Sequence, residues 1–268
     1  MNLKEIKKLL REHGIKPKKY LDQHFLIDEK VLKQEVDYAQ VDEEDTVLEI
    51  GPGIGTLTRL ISERAGKTIV IEKDETFKSI LEEIDGVEII IGDALETEWP
   101  EFDKLISNAP YSISSPLVFK ILEHDFESAV LCLQKEFAAR MAAKSRTEDY
   151  SRLSVNCSVR ANVTLLEDVA PDKYYPKPEV SSTILKMTKR EVELPEKFDD
   201  IVRALFQHKN KKMRNALNDS FHEIGEEEEV KKFVEGLGIK KHLKVTNLKP
   251  EDIIELAEQW TEKKDKGK

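Results

Sequence analysis

Four consecutive residues, Asn108, Ala109, Pro110 and Tyr111, stand where an apolar segment predicted to be a strand ends. The side-chain oxygen of Asn108 and the carbonyl oxygen of Ala109 could accept both hydrogens of a planar amino group. Pro110 would stiffen the loop, and the ring of Tyr111 could stack on an extruded base. An ordinary turn is the alternative, because Asn and Pro are common turn formers and Tyr111 could cap a core edge.

A second candidate for ligand binding is the glycine turn of VLEIGPGIGTLT, where Gly51, Gly53 and Gly55 separate a strand from a helix. Glycines permit positive φ and let a ligand approach the backbone, while the helix N-terminus offers unpaired N–H groups. A dinucleotide fingerprint reads G-x-G-x-x-G, but Thr56 replaces its third glycine here. With Glu49 before it, the turn resembles the first motif of class I methyltransferases, which holds S-adenosylmethionine. Tight packing alone is the alternative explanation.

Acidic residues follow the next two predicted strands. Glu72 lies 21 residues after Gly51, where an acid can hydrogen-bond the two hydroxyls of a ribose. Asp93 ends the third strand and resembles the acid that meets the adenine amine of the cofactor in many methyltransferases. Either residue alone would be a typical surface acid. Their order at successive strand ends predicts an S-adenosylmethionine site, which Asn108 is expected to contact as well.

The chemistry expected of Asn108 and Ala109 is methyl transfer to an amino group. The N6 amine of adenine is a poor nucleophile because its lone pair is spread into the ring. Two acceptors that hold both N6 hydrogens would align the nitrogen for in-line attack, and no strong base is needed. The motif [ND]-x-P-[YFW] at the end of the fourth strand resembles that of amino-group methyltransferases.

The whole chain resembles one family, the small-subunit ribosomal RNA adenine dimethyltransferases. QHFLID is similar to the family's Q-N-F-L-x-D, which implies cofactor contacts by His24, in place of the usual Asn, and by Leu26. LQKEFAARM is similar as well, and YYPKPEVSSTIL resembles F-x-P-x-P-x-V-x-S, with Tyr174 in place of Phe. The resemblance implies that Tyr174 covers the opposite face of the target base.

The resemblance also implies a substrate and partners. Members of the family convert two adjacent adenosines near the RNA 3′ end to N6,N6-dimethyladenosine, so we expect a small ribosomal subunit precursor as partner and a monomeric enzyme. Two alternatives stay open. One is a related large-subunit methyltransferase, and the other is an assembly or transcription factor on the same fold that does not need catalysis.

Two basic segments are candidates for RNA binding. Residues 201–218 carry five basic residues and no acid, and LFQHKNKKMRNAL resembles the family's L-F-x-x-R-R-K-x-L-x-x-x-L element. The predicted RNA-binding residues are Lys209, Lys211, Lys212 and Arg214. These four cannot all point one way on a helix, so part of the run should lie on a turn between helices. Residues 1–20 are also basic, and a solvated helix face is the alternative for both segments.

The elements that would position these residues follow an α/β pattern. Near-continuous apolar strands that alternate with helices predict a mostly parallel, Rossmann-like class I methyltransferase sheet with helices on both faces. The predicted strands are TVLEI, KTIVIE, VEIII, FDKLISN and SAVLCLQ, with ANVTLLEDV and SSTILKMTK at an edge. The three prolines of PDKYYPKPEV rule out a helix there. We predict a methyltransferase domain at 1–193, including the basic N-terminal segment, and a small all-helical RNA-binding domain at 194–268.

Composition narrows the class of protein. The 268 residues carry a formal net charge of -10, which argues against a wholly basic nucleic-acid binder but not against local basic patches. Cys132 and Cys157 are too few for a disulfide scaffold or a metal cluster, so we expect a reducing cytoplasm and no metal. No segment reaches the roughly 18 apolar residues that span a bilayer, and we expect no membrane partner.

Overall fold

The structure, a computed structural model, describes Met1 and residues 3–18 and 23–265, with two compact units. The first unit comprises residues 1–139 and 161–189, and the second comprises 140–160 and 190–268. The sequence placed a single boundary at 193/194. The structure differs because residues 140–160 belong to the second unit, where Tyr150, Val155 and Val159 are buried in its core. The apolar residues of 140–160 are scattered through a polar segment, so the sequence gave no sign that this segment belongs to the second unit.

Nine strands lie in the described part of the first unit. Their bounds are β1 Phe25–Leu26, β2 Thr46–Ile50, β3 Lys67–Glu72, β4 Val87–Ile91, β5 Lys104–Ser107, β6 Ser128–Gln134, β7 Ala161–Val169, β8 Tyr174–Tyr175 and β9 Ser182–Lys189. Strands β2 to β6 match the predicted apolar runs, because β-branched side chains suit a sheet buried on both faces. In the proline segment, Pro171–Lys173 forms one short 3₁₀ turn, with Pro171 at its first position, where no N–H is needed.

Seven of these strands form one sheet in the order β4-β3-β2-β5-β6-β9-β7. The first five run parallel, and β9 runs antiparallel between β6 and β7. Strands β1 and β8 pair separately, with Leu26 opposite Tyr174. The strand order changes direction between β2 and β5, which is where ligands bind in open α/β sheets.

Helices follow most strands. Their bounds are α1 Leu3–Glu12, α2 Glu29–Ala39, α3 Thr56–Ser62, α4 Lys78–Leu81, α5 Ser114–Glu123, α6 Lys135–Met141, α7 Arg152–Arg160, α8 Phe198–Gln207, α9 Met213–Asp219, α10 Glu227–Gly236 and α11 Pro250–Asp265. Asp28 caps the N-terminus of α2, because its carboxylate accepts from the backbone N–H groups of Lys30 and Val31.

Both faces of the central strands are covered. On one face, Leu32 and Val36 of α2 pack with Val47 and Ile106 of the sheet. Side chains of the other face are also fully buried, among them Leu48, which pairs in register with Ile69 and Leu105. The predicted fold class of the sheet is confirmed.

The second unit is helical. Helices α7 to α11 bury an apolar core centred on residues such as Phe198, Leu205, Phe233 and Trp260. Helix α8 ends at Gln207 and α9 begins at Met213, so residues 208–212 form the connection between them. The predicted turn within the basic run is therefore confirmed.

Candidate active site

The carboxyl ends of β2, β3 and β5 are held together by hydrogen bonds beyond the regular ladder. The Ser107 hydroxyl donates to the Ile50 carbonyl over 2.7 Å, and the Gly51 N–H donates to the Ile71 carbonyl over 2.9 Å. The Gly92 N–H continues this pattern to the Glu72 carbonyl over 2.9 Å. These bonds fix the loops after three strands relative to one another.

A cavity of about 230 Å³ opens at this edge. It brings together seven of the predicted site residues: His24, Gly51, Gly53, Glu72, Asp93, Asn108 and Pro110. Leu26, Ala109, Tyr111 and Tyr174 are not among its lining residues. The remaining lining residues are Gln23, Phe25, Ile50, Ile71, Lys73, Phe77, Gly92, Ala94, Ser112 and Ile113.

Two positions of the glycine turn, Gly51 and Gly53, require glycine. Gly51 and Gly53 have φ of 71° and 54°, in the left-handed region that other residues avoid. A Cβ on Gly53 would lie 2.9 Å from a ring carbon of Phe25, closer than atoms pack. A Cβ on Gly51 would reach 3.4 Å from the Pro110 ring. The turn thus packs directly against the predicted catalytic loop.

Glu72 closes the turn from the end of β3. One carboxylate oxygen accepts from the Gly53 N–H over 2.9 Å and the other from the Asp74 N–H over 2.7 Å. Burial raises the pKa of Glu72, and these backbone donors oppose the rise. Each carboxylate oxygen has a second lone pair, so the group can still accept from a ligand.

Asp93 follows β4 and is an ionised acceptor. Lys73 donates to one of its oxygens over 2.6 Å, and the Leu95 N–H donates to the other over 2.9 Å. The hydrogen bond from Lys73 holds the pKa of Asp93 below its usual range. The loop after Asp93 is fixed by Lys120, whose ammonium donates to the Ala94 carbonyl over 2.9 Å.

His24 and Leu26 flank the short strand β1. The His24 Nδ1 lies 2.7 Å from the Pro176 carbonyl, and because a carbonyl only accepts, Nδ1 carries the hydrogen. The imidazole stacks near the Tyr111 ring, with centroids 6.2 Å apart. The side chain of Leu26 is buried in the core and does not line the cavity.

The two polar atoms of the Asn108 amide differ in their hydrogen bonding. Its Nδ2 donates to Oε2 of Glu35 over 2.9 Å. Its Oδ1 is buried and has no hydrogen-bond partner among the residues that the structure describes. A buried acceptor without a donor is costly, and such groups occur at functional sites. The neighbouring Ala109 is also buried.

The two predicted stacking residues differ in their surroundings. Tyr111 is half-buried, and its hydroxyl lies 2.7 Å from the Ser182 hydroxyl. Tyr174 is only 6% exposed, and its hydroxyl lies 3.0 Å from the Cys132 sulfur inside the core. Tyr174 therefore lies in the core, where its hydroxyl contacts Cys132, and does not line the cavity.

Sequence reasoning missed several residues at the site. Gln23, whose amide donates to Asp74 over 2.8 Å, stands in the motif QHFLID and could have been found there. Lys73, which lines the cavity, directly follows Glu72, and its position next to that residue is the signal that could have found it. Glu35 sits on the buried face of α2, and no motif marks it. Only the fold brings it to Asn108.

The predicted RNA-binding residues lie in the second unit. Lys212 and Arg214 are exposed, and neither forms an ion pair within the described part of the chain. Lys211 instead pairs with Asp219 over 2.6 Å, and the Lys209 ammonium donates to the Glu148 carbonyl over 3.3 Å. The four residues therefore differ in how free they are to contact a ligand. Of the N-terminal alternatives Lys16, Lys18 and Lys19, Lys19 lies outside the described residues.

Neither a membrane span nor a metal site is found in the described ranges. No helix there is long and apolar enough to cross a bilayer. No group of three or more His, Cys, Asp or Glu side chains in the same ranges could hold a metal ion.

The donor set of the cavity fits S-adenosylmethionine. A glycine turn without side chains offers room for close approach, Glu72 offers acceptors for ribose hydroxyls, and Asp93 offers an acceptor for an amine. The sheet order and this arrangement define a class I methyltransferase.

Comparison with known proteins identifies the family. The sequence model of the family "Ribosomal RNA adenine dimethylase" matches residues 14–262. A "Probable ribosomal RNA small subunit methyltransferase A" of Methanothermobacter thermautotrophicus is 43% identical over 95% of this chain and 94% of its own. One of Thermococcus sibiricus is 44% identical over 93% and 94%. The chain belongs to the ribosomal RNA adenine dimethylase family. It is an rRNA adenine dimethyltransferase that uses S-adenosylmethionine.

Solved structures agree with this assignment. A dimethyladenosine transferase from Plasmodium falciparum matches 90% of this chain and 98% of its own, with 29% identity and a TM-score of 0.78. The 23S rRNA methyltransferase ErmE matches 88% and 99%, with 26% identity and a TM-score of 0.62. The predicted family and cofactor are therefore confirmed.

Proposed function

We propose that the chain dimethylates N6 of two adjacent adenosines near the 3′ end of the small-subunit rRNA, within a precursor of the small ribosomal subunit. The substrate is supported by relatives at 43% and 44% identity that are named small subunit methyltransferases. The chemistry is supported by one observation above all. Asn108 keeps a buried acceptor oxygen, free of partners among the described residues, at the end of β5.

In the proposed site, Asn108 Oδ1 and the Ala109 carbonyl accept the two N6 hydrogens of the target adenine. Pro110 packs on the glycine turn and keeps these acceptors in place. Tyr111 stacks on one face of the base. For the other face, Tyr174 has to expose its ring, which lies buried here.

The cofactor roles are proposals of the same kind. Glu72 accepts from the ribose hydroxyls, Asp93 from the adenine amine of the cofactor, and Gly51 and Gly53 allow close approach. His24 presents its Nε2 edge, since Nδ1 is engaged with Pro176, and Leu26 and Asn108 complete the set. When bound, S-adenosylmethionine supplies the methyl group.

The alternative substrate is large-subunit rRNA, and its support is the structural similarity to the 23S rRNA methyltransferase ErmE at 26% identity. The deciding experiment incubates the enzyme with unmodified small subunits and, separately, with large subunits, and maps the methylated nucleotides. Two adjacent N6,N6-dimethyladenosines in the small-subunit RNA support the proposal. Modification confined to the large subunit would overturn it.

Replacement of Glu72 tests the ribose contact. We expect Glu72→Ala to weaken S-adenosylmethionine binding by about 1.5 to 3 kcal/mol, because a charged acceptor of hydrogen bonds is lost. Isothermal titration calorimetry measures this. Because Glu72 also binds two backbone N–H groups, an analogue without ribose hydroxyls is the control, and parent and variant should bind it about equally. An equal loss for both ligands would show that Glu72 acts only on the turn.

The proposed RNA interface of the second unit is larger than the basic run itself. The Met213 N–H donates to the Leu243 carbonyl over 2.8 Å, and the Val245 N–H donates to the Lys211 carbonyl over 3.0 Å. This pairing brings Lys244 next to Lys212. Three exposed residues form no ion pair with an acid of the described chain: Lys212, Arg214 and Lys244. Their charges are therefore suited to contact phosphates.

A salt titration tests this interface. If Lys212, Arg214 and Lys244 contact phosphates, log affinity for the small subunit falls with log salt by about 0.7 to 0.9 per contact. We expect the triple change of these residues to Gln to flatten that slope by about two and to spare S-adenosylmethionine affinity.

The matched control removes three other exposed lysines of the same unit, Lys231, Lys232 and Lys249. It should leave the salt slope at the parent value. If both triple variants flatten the slope equally, general charge and not this interface carries the binding. If neither does, the N-terminal lysines Lys16, Lys18 and Lys19 become the next candidates.

We also propose a monomeric enzyme that acts in a reducing cytoplasm. Support for a reducing compartment comes from Cys132 and Cys157, which are buried and not disulfide-bonded.

A further inference from the structure

A buried carboxyl group outside every predicted motif contacts the proposed catalytic amide. Glu35 lies on α2, is 1% exposed, and accepts from Asn108 Nδ2 through Oε2 over 2.9 Å. The Cys132 thiol lies against the same carboxyl group, and Cys132 in turn contacts the Tyr174 hydroxyl over 3.0 Å. A carboxyl group that is buried costs free energy, and Glu35 has no ion-pair partner among the described residues.

We propose that Glu35 is the positioning residue that fixes the orientation of the Asn108 amide, so that its oxygen and not its nitrogen faces the target adenine. This rests on the proposed role of Asn108. An amide can turn by 180° about its last bond, which exchanges an acceptor for a donor at nearly the same place. A donor at the position of Oδ1 would repel the N6 hydrogens of the target adenine. Glu35 prevents the exchange because Oε2 accepts a hydrogen that only Nδ2 can give.

The hydrogen bond from Asn108 is compatible with both protonation states of Glu35, but only the carboxylate excludes the flipped amide, because a neutral acid could donate to Oδ1. Burial raises the pKa of Glu35 to about 8, while the hydrogen bond from Asn108 opposes the rise. A carboxylic acid that carries its proton on Oε1 still offers Oε2 as an acceptor. The bond from Asn108 can therefore form in both states, and we expect a substitution that keeps an acceptor to keep the function.

Two substitutions separate positioning from packing. Glu35→Leu fills similar space but removes the acceptor, and we expect kcat to fall about 10- to 100-fold, the effect of a small misplacement at a reacting centre. KM for the subunit and the Kd of S-adenosylmethionine should stay near the parent values. Glu35→Gln retains an acceptor oxygen and should restore most of kcat. Val36→Ala, a change at a fully buried neighbour on α2, controls for loosened packing and should leave kcat near the parent value.

A double-mutant cycle decides whether Glu35 acts through the Asn108 amide or only through packing. In the Asn108→Ala background, Glu35→Leu should cause no further loss of single-turnover rate, because its effect passes through the amide already removed. A further loss of similar size in that background would overturn the proposal, as would a Glu35→Gln variant as slow as Glu35→Leu. A parent-like Glu35→Leu beside a slow Asn108→Ala would refute Glu35 alone. A parent-like Asn108→Ala would instead refute the proposed function.

Discussion

Asn108→Ala is expected to slow methyl transfer by about 100-fold or more while the protein stays folded. The substitution removes a preorganised acceptor that holds the N6 amine in the transition state, and loss of one such group costs about 10² to 10³ in kcat. The glycine turn and Glu72 are untouched, so the Kd of S-adenosylmethionine should change by no more than about threefold, despite the proposed contact of Asn108 with the cofactor. Single-turnover transfer to small subunits and calorimetry measure the two quantities.

The outcome also separates enzyme from assembly factor. If the chain needed only to bind the subunit, Asn108→Ala would support subunit maturation as well as the parent does. A variant that transfers methyl groups at the parent rate would remove Asn108 from the chemistry. A variant with a much weaker cofactor affinity and an unchanged rate at saturation would assign Asn108 to cofactor binding alone.

The sheet could be predicted because its signal is local. The apolar runs 46–50, 67–72, 87–91 and 128–134 coincide with strands. The central ones are apolar because a parallel strand covered on both faces is buried, whereas 87–91 is a partly exposed edge strand. The boundary between units was harder to predict. Residues 140–160 join the second core through a few apolar side chains such as Tyr150 and Val155, and no periodic pattern marks where a long-range contact will form.

The site was predictable where residues follow strand ends. Parallel strands bring their carboxyl ends together, so Gly51, Glu72, Asp93 and Asn108 meet at one cavity. Residues that reach the site through tertiary packing were not predictable in this way. Glu35 comes from the middle of a helix 73 residues before Asn108, and an acid in an amphipathic helix is normally a surface residue.

Tyr111 tests whether the target base is held by stacking. Tyr111→Ala is expected to lower transfer severely, because stacking of a base on an aromatic ring contributes about 1 to 3 kcal/mol. That range corresponds to about 5- to 150-fold. Tyr111→Phe keeps the ring and loses the contact with the Ser182 hydroxyl, which is 2.7 Å away. A neutral hydrogen bond is worth about 0.5 to 1.5 kcal/mol, so a loss of about 2- to 10-fold is expected there.

Ser182→Ala provides the matched control, because it removes the same hydrogen bond from the other side and leaves the Tyr111 ring intact. Single-turnover rates at saturating S-adenosylmethionine should therefore rank Tyr111→Phe with Ser182→Ala, both well above Tyr111→Ala. If Tyr111→Phe were as slow as Tyr111→Ala, the hydroxyl and not the ring would carry the effect. In that case a slow Ser182→Ala would assign the effect to the Ser182 hydroxyl, which contacts Tyr174 and Cys132 as well as Tyr111 and lies at the start of β9.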